Sequence, residues 1–155
     1  MWPFKRRQPA RASFVFGTFQ LGQRLGNSEG LEELSLQEYS ARPKTFVGER
    51  IFTAPPIALA GHAWMMMVGT VDGEVYKLAA YQELHDKAEA TRVASAALSY
   101  CVQQLGKPTS VRTGLFEWQT RDGNVILQTA DAADGFGINI FATSSAVRRY
   151  QLIVS

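Results

Sequence analysis

The alternation of hydrophobic and polar positions predicts strands on both sides of one long helix. β-Branched and aromatic residues recur in short runs that glycine, proline and Asp-Gly pairs separate. The predicted strands span residues 13–21, 46–53, 63–71, 74–81, 115–121, 124–129, 136–143 and 147–154. Because strands do not alternate regularly with helices, the order indicates an α+β fold rather than a parallel sheet. We expect an antiparallel, meandering sheet of about six to eight strands with the long helix packed across one face.

Residues 86–105 have the spacing of an amphipathic helix with an alanine-rich buried side. Asp86 is a predicted N-cap, and Glu89 stands where a reciprocal capping box needs it. Gly106 and Pro108 are expected to end the helix. The predicted apolar arc consists of Ala90, Val93, Ala94, Ala97, Leu98, Tyr100, Cys101, Val102 and Leu105.

The segments before the first hairpin give weaker signals. Residues 1–12 contain two prolines, four basic residues and no periodicity, which predicts a flexible basic N-terminal tail. Ser28 is a candidate cap for a short N-terminal helix through residues 32–34. Pro55 and Pro56 are expected to stop the strand at 46–53 and to begin a loop over 54–61. Residues 13–155 are therefore interpreted as a single α+β domain.

Two Asp-Gly pairs, at 72–73 and 122–123, each separate two apolar runs. Asp-Gly favours the positive φ angles of a type I′ turn, so both pairs predict two-residue hairpins. The pattern Thr-x-Asp-Gly-x-Val occurs at 70–75 and again at 120–125. An internal duplication explains this pattern, but independent selection of good turn residues explains it better.

A two-residue turn fixes the register of its strands, so the faces of each hairpin can be predicted. The second hairpin has one apolar and one polar face, as expected of a half-buried sheet. The first hairpin, in contrast, is apolar on both faces. One predicted face holds Met65, Met67, Tyr76, Leu78 and Ala80. The other holds Trp64, Met66, Val68, Val75, Ala79 and Tyr81, with His62 and Lys77 at its margins.

One helix covers only one face of a hairpin, so the second apolar face needs another cover. It is core within the monomer, a dimer interface, or a pocket for a small molecule or peptide. The predicted interface or ligand face comprises His62, Trp64, Met66, Val68, Val75, Lys77 and Tyr81. If this face is an interface, Trp64→Asp should leave a folded monomer.

No pattern in the chain predicts catalytic residues, a metal site or a cofactor. His62 and His85 have no Cys or His at a useful metal-ligand spacing. Cys101 lies within the apolar arc of the helix, where burial is expected to raise the pKa of its thiol and make it inert. Lys107 is followed by Pro108 where a phosphate-binding loop needs Ser or Thr. The interpretation leans against an enzyme.

The charge distribution bears on the kind of partner, and the cysteine content bears on the cellular compartment. The net charge is +2, but residues 1–28 carry five basic residues and no acid, while the remainder has eleven basic and fourteen acidic residues. A mildly acidic body argues against a nucleic-acid-binding protein. The single cysteine gives no sign of an oxidising compartment, and no apolar run suits a signal peptide or a membrane span. We expect a cytoplasmic protein.

The sequence is compatible with three functional hypotheses. The favoured hypothesis is a non-catalytic binding or adaptor module that self-associates as a homodimer through the first hairpin. The second is a small-molecule binding protein or enzyme with a pocket on the Trp64, Met66 and Tyr81 face. The third is a membrane-surface protein that uses Trp2, Phe4 and the basic residues of 1–12, although a flexible tail is the preferred interpretation of that segment.

Overall fold

The computed structural model describes residues 13–25, 30–34, 46–132 and 134–153. These residues form an eight-stranded antiparallel sheet, a small two-stranded sheet, one long helix, α1 (Lys87–Leu105), and a short 3-10 helix. The small sheet contains β1 (Val15–Phe16) and β2 (Phe19–Gln20). The strands of the large sheet are β3 (Glu32–Glu33), β4 (Glu49–Leu59), β5 (His62–Val71), β6 (Glu74–Leu84), β7 (Ser110–Arg112), β8 (Leu115–Gln119), β9 (Gly123–Ala132) and β10 (Gly135–Ser144).

The large sheet is built from two meanders that meet at its centre. Its strand order is β3-β4-β5-β6-β10-β9-β8-β7, so β4–β6 form one meander and β8–β10 the other. Helix α1 connects the two meanders, and β6 pairs with β10 where they join. This arrangement confirms an α+β fold with a mostly antiparallel sheet and one long helix.

The two Asp-Gly hairpins occupy different places in this topology. The first joins β5 to β6, next to the centre of the sheet, whereas the second joins the outer strands β8 and β9. If the meanders were copies related across the centre, β5–β6 would correspond to β9–β10. The topology therefore favours independent selection of the turn sequence over duplication.

One continuous hydrophobic core lies between α1 and the sheet. The helix buries Ala90, Val93, Ala97, Cys101 and Leu105. The sheet contributes Trp64, Met66, Val68, Val75, Leu78, Ala80, Trp118, Val125, Leu127, Ile138, Ile140 and Ala142 to the same cluster. Small residues on the helix allow it to lie close to the larger side chains of the sheet, as the sequence predicted.

The ends of α1 follow the sequence prediction in part. Asp86 caps the helix, and its Oδ1 accepts a hydrogen bond from the backbone N–H of Glu89 at 2.8 Å. The reciprocal half of the capping box is replaced by other contacts, because the Glu89 carboxylate binds His62 and Arg92. Val102 belongs to the predicted buried arc, but it is 39% exposed.

The predicted short helix through residues 32–34 is wrong. Glu32 and Glu33 instead form β3, which pairs with Thr53 and Phe52 of β4. The Glu33 carboxylate also accepts a hydrogen bond from Arg50 at 2.7 Å, which holds β3 at the sheet edge. Pairing with an existing strand outweighs the helical preference of so short a segment. Ser28 and the predicted tail at 1–12 lie outside the described residues.

The predicted strand at residues 13–21 is divided into two strands. Gly17 has a φ of +61° and turns the chain between β1 and β2. Phe14 and Phe16 pack edge-on against the ring of Tyr100, which places this small sheet against α1.

Pro55 and Pro56 do not end the fourth strand, and the predicted loop over 54–61 is wrong. β4 continues to Leu59, with an irregularity in its pairing to β5 between Ala54 and Ile57. The pairing of β3 stops at Thr53, so the prolines lie on a stretch of β4 that has β5 as its strand neighbour on one side. A strand tolerates proline at such an edge position or at a bulge, since no ladder hydrogen bond is lost there.

The predicted last strand over residues 147–154 is also wrong within the part that the structure describes. Residues Ser145–Arg149 form a 3-10 helix, and the Ser144 hydroxyl accepts a hydrogen bond from the backbone N–H of Ala146 at 3.1 Å. The Ser144 cap stabilises the first turn of this short helix, which stands where the strand was predicted. Beyond it, Leu152 makes an isolated antiparallel bridge with Phe46.

Candidate functional site: the open sheet face and a cleft beside the helix

The register of the first hairpin differs from the prediction by one residue beyond its turn. Asp72 and Gly73 both have positive φ angles, +50° and +82°, as the predicted type I′ turn requires. The register then shifts between Gly69 and Thr70, so Val68 lies opposite Leu78. A shift of one residue moves every later side chain to the other face of the sheet.

The second hairpin departs from its prediction without this consequence. Its register places Gln119 opposite Asn124, so the connection contains four residues instead of two. The difference shifts the pairing by two residues, an even number. The predicted apolar face of the second hairpin is therefore confirmed: Phe116 lies opposite Leu127 and Trp118 opposite Val125.

The register shift between Gly69 and Thr70, a β-bulge in the first hairpin, separates the seven residues of the predicted interface or ligand face. Four of them, Trp64, Met66, Val68 and Val75, are at most 2% exposed and belong to the core beneath α1. Lys77 and Tyr81 lie on the opposite side of the sheet, and His62 contacts the helix. The grouping of these seven residues on one face is thus corrected.

The sheet face that points away from α1, called the open face below, carries an apolar stripe. Register places Met67 opposite Ala79, Ala79 opposite Phe141, and Phe141 opposite Ile126. In the next row Met65 lies opposite Tyr81. These residues are at least partly exposed, and Met65 and Met67 are 69% and 37% exposed. The stripe consists of Met65, Met67, Ala79, Tyr81, Ile126 and Phe141.

One end of the open face is already covered by the chain itself. The rings of Phe46, Tyr76 and Tyr150 pack edge-to-face there, with centroids 5.4–6.0 Å apart. Tyr76 is buried and its hydroxyl donates a hydrogen bond to the buried carboxylate of Glu49. This aromatic cover lies beside Lys77 and leaves the stripe exposed.

A cleft of about 590 Å³ lies on the other side of the sheet, between α1 and the second meander. The helix lines it with Ala90, Ala94 and Leu98 and with the hydroxyls of Thr91 and Ser95. The sheet contributes mainly Phe116, Leu127, Phe136 and Ile138.

The cleft exists because the two flanks of α1 are packed differently. On the first flank, Arg92 donates a hydrogen bond to the carbonyl of Ala60 at 2.9 Å, and Tyr100 donates one to Val15 at 3.0 Å. The β4–β5 connection and β1 therefore close this flank. On the other flank β8 has only five residues and β7 three, so the side of the helix above them is less covered.

His62, Glu89 and Arg92 form an ionic cluster at the helix. Nε2 of His62 lies 2.8 Å from the Glu89 carboxylate, and Arg92 donates two hydrogen bonds to the same carboxylate at 2.5 and 2.9 Å. The hydrogen bonds from Arg92 and then from His62 lower the pKa of Glu89 to about 2. Together with the hydrogen bond from Arg92 to Ala60, this cluster links α1 to the β4–β5 connection and the start of β5, so its contacts are structural.

Cys101 and His85 are the two remaining side chains that the sequence analysis considered for chemistry. Cys101 is buried, as the helical pattern predicted, and burial raises the pKa of its thiol to about 12. His85 lies at the surface, with its Nδ1 2.6 Å from the carbonyl oxygen of Asp134. Among the described residues, no group of three or more His, Cys, Asp or Glu side chains is arranged to hold a metal ion.

Comparison with protein-family models, with curated proteins and with solved structures finds no significant match to this chain. Within the part of the chain that the structure describes, no helix combines the length and hydrophobicity needed to cross a membrane. The functional argument therefore depends on the two surfaces described above.

Proposed function

We propose that the protein is a non-catalytic binding module that self-associates through the open face of its sheet. The observation that carries the proposal is the exposed apolar stripe, and above all the side chains of Met65 and Met67. Methionine adapts its shape to a partner, and aromatic residues such as Tyr81 and Phe141 are enriched at interfaces. Large contiguous exposed apolar patches mark interaction sites on proteins.

The surroundings of the stripe suit a second copy of the same chain. On β6, Lys77 and Glu83 flank Ala79 and Tyr81 on opposite sides, and both point to the open face. A two-fold axis along the stripe brings Lys77 of one copy toward Glu83 of the other while the apolar residues meet. Two-fold interfaces use the same patch on both subunits, so this self-complementarity supports a homodimer.

The edges of the large sheet are poorer surfaces for association. One edge strand, β3, has two residues and both are glutamates. The other, β7, has three residues and includes Arg112. Short, charged edge strands are a common protection against strand-to-strand association. Face-to-face packing of two sheets is therefore the proposed mode, with the sheets about 10 Å apart.

The two alternative functions suggested by the sequence, a pocket and a membrane-surface protein, are affected differently by the structure. Trp64 and Met66 lie on the other side of the sheet from Tyr81, so these three residues do not line one pocket. Membrane contact through residues 1–12 concerns a segment outside the described residues and stays a prediction. We keep the proposal of a cytoplasmic protein without nucleic-acid partners, because a lone cysteine and a mildly acidic body favour it.

The test of self-association is the mass of the protein in solution. Sedimentation velocity of the wild-type chain over a concentration series should show a monomer at the lowest concentrations and a dimer of twice 17.1 kDa at the highest. A monomer mass throughout, up to millimolar protein, would contradict the proposal. Native mass spectrometry of the same sample checks whether the dimer carries any retained small molecule.

A further inference from the structure

We propose that the cleft between α1 and the second meander binds an elongated apolar small molecule whose polar head is neutral or cationic. This inference goes beyond self-association, because the cleft lies on the helix side of the sheet and the stripe on the open face. The two proposals therefore use separate surfaces and fail independently.

The dimensions and lining of the cleft support an apolar ligand. Its volume of about 590 Å³ lies within the range of roughly 300–1,000 Å³ typical of small-molecule sites. Leu127 and Ile138, which line it, are each 1% exposed, so its inner surface is the core itself. Phe116 and Phe136 are only partly buried, and a ligand in the cleft would remove their exposed surface from water.

The helix side of the cleft offers room for a chain-like molecule. Ala90, Ala94 and Leu98 follow one another at four-residue spacing, which places them in a row along α1. Alanine leaves space above the sheet where a larger side chain would fill it. The Thr91 hydroxyl is engaged, since it donates a hydrogen bond to the carbonyl of Lys87 at 2.9 Å.

The charges at one end of the cleft select the polar head of the ligand. Register places Phe136 opposite both Leu84 and Asp131, so the start of α1 and the end of β9 lie at the same end of the cleft. Asp131 lines the cleft there, and Asp86 and Asp134 are close in sequence to its lining. Lys87 is the cation among the lining residues. Asp131 and Lys87 balance each other in the lining, and the carboxylates of Asp86 and Asp134 just outside it make this end net negative, which favours a cationic or neutral head over an anionic one.

Three probes with the same ten-carbon chain test the proposal: decylamine, decanol and decanoate. Each is titrated into the wild-type protein below its solubility limit and, for decylamine and decanoate, below the micelle-forming concentration, and binding is measured by changes in backbone amide NMR signals. The amine and the alcohol should bind and shift the signals of Ala94 and Phe136, with decanoate at least about tenfold weaker. Lengthening the amine by one buried methylene should tighten binding about fourfold. No binding by any probe, or tightest binding by decanoate, would overturn the proposal.

Substitutions at the cleft locate the bound probe. Ala94→Phe fills the interior, and Ser95→Trp covers the mouth from an exposed position without touching the core. Both should weaken decylamine binding at least about tenfold, whereas Ser99→Trp, at an exposed serine outside the cleft lining, should not. Thermal unfolding of each variant identifies any that does not fold, and Ser95→Trp decides the matter if Ala94→Phe is one of them.

Asp131→Asn tests the head separately. It should weaken decylamine several-fold and leave decanol unchanged, since only the amine carries a charge that Asp131 attracts. Equal affinity of decylamine for the wild type and for Asp131→Asn would contradict the assigned position of the head. Unchanged binding in the Ser95→Trp variant would contradict the cleft as the site.

Discussion

Trp64→Asp should unfold the protein. The Trp64 side chain is 0% exposed, belongs to the core beneath α1, and donates a hydrogen bond from Nε1 to the carbonyl of Leu59 at 3.1 Å. Removing a buried tryptophan costs about 3–5 kcal/mol, and a buried, unpaired carboxylate adds several kcal/mol more. Because domains are stable by about 5–15 kcal/mol, the variant should be mostly unfolded at room temperature. Circular dichroism and urea unfolding measure this directly.

The neighbouring residue provides the control. Met65 is 69% exposed on the open face, so the Met65→Asp variant should fold. Its free energy of unfolding should lie within about 1 kcal/mol of the wild-type value when both proteins are compared as monomers. A Trp64→Asp variant that remains folded as a monomer would contradict the assignment of Trp64 to the core. It would also restore the expectation that the sequence alone suggested for this residue.

Met67→Lys should convert the dimer to a monomer. Met67 lies on β5 at one end of the stripe, between Thr53 of β4 and Ala79 of β6, and is 37% exposed. A two-fold interface contains this position twice, so the dimer would bury two new charges against apolar surface. We expect the dissociation constant of the dimer to rise at least about 100-fold, which corresponds to a loss of ~3 kcal/mol in binding free energy. Sedimentation velocity of wild type and variant at equal concentration measures the change.

Val102 offers a matched control for this substitution. It is a hydrophobic residue of similar exposure, 39%, but it lies on α1 and outside the stripe. Val102→Lys should therefore sediment as the wild type does. If Met67→Lys remains dimeric, or if both lysine variants dissociate alike, the open face is not the specific interface.

The sequence predicted the elements whose signals are local. The spacing of apolar residues and the Asp86 cap were sufficient for α1, and the apolar runs around Asp72-Gly73 were sufficient for β5 and β6. Other expectations failed where contacts distant in the sequence decide. Glu32 and Glu33 become a strand because Phe52 and Thr53 are available to pair with them. The prolines at 55 and 56 are tolerated because of their position in the sheet.

The candidate site was harder to predict than the fold, and one residue explains why. The extra residue in β6 after Val75 reverses the alternation of every following side chain, so Leu78 joins Trp64 and Met66 in the core. Hydrophobicity did not reveal this bulge, since both faces of the hairpin are apolar. The cleft was missed for another reason: its lining comes from α1, β8, β9 and β10, which meet only in the folded chain.

The central claim, that the open face is the surface of self-association, is tested most directly by the three adjacent methionines of β5. Their methyl groups are observed by NMR with a soluble paramagnetic agent at dilute and at high protein concentration. Met66 is 2% exposed and should be protected at both concentrations, which makes it an internal reference. Met65 and Met67 should relax rapidly when dilute and become protected as the dimer forms. If both methyl groups stay accessible at concentrations where the protein is a dimer, the copies meet elsewhere and the account is contradicted.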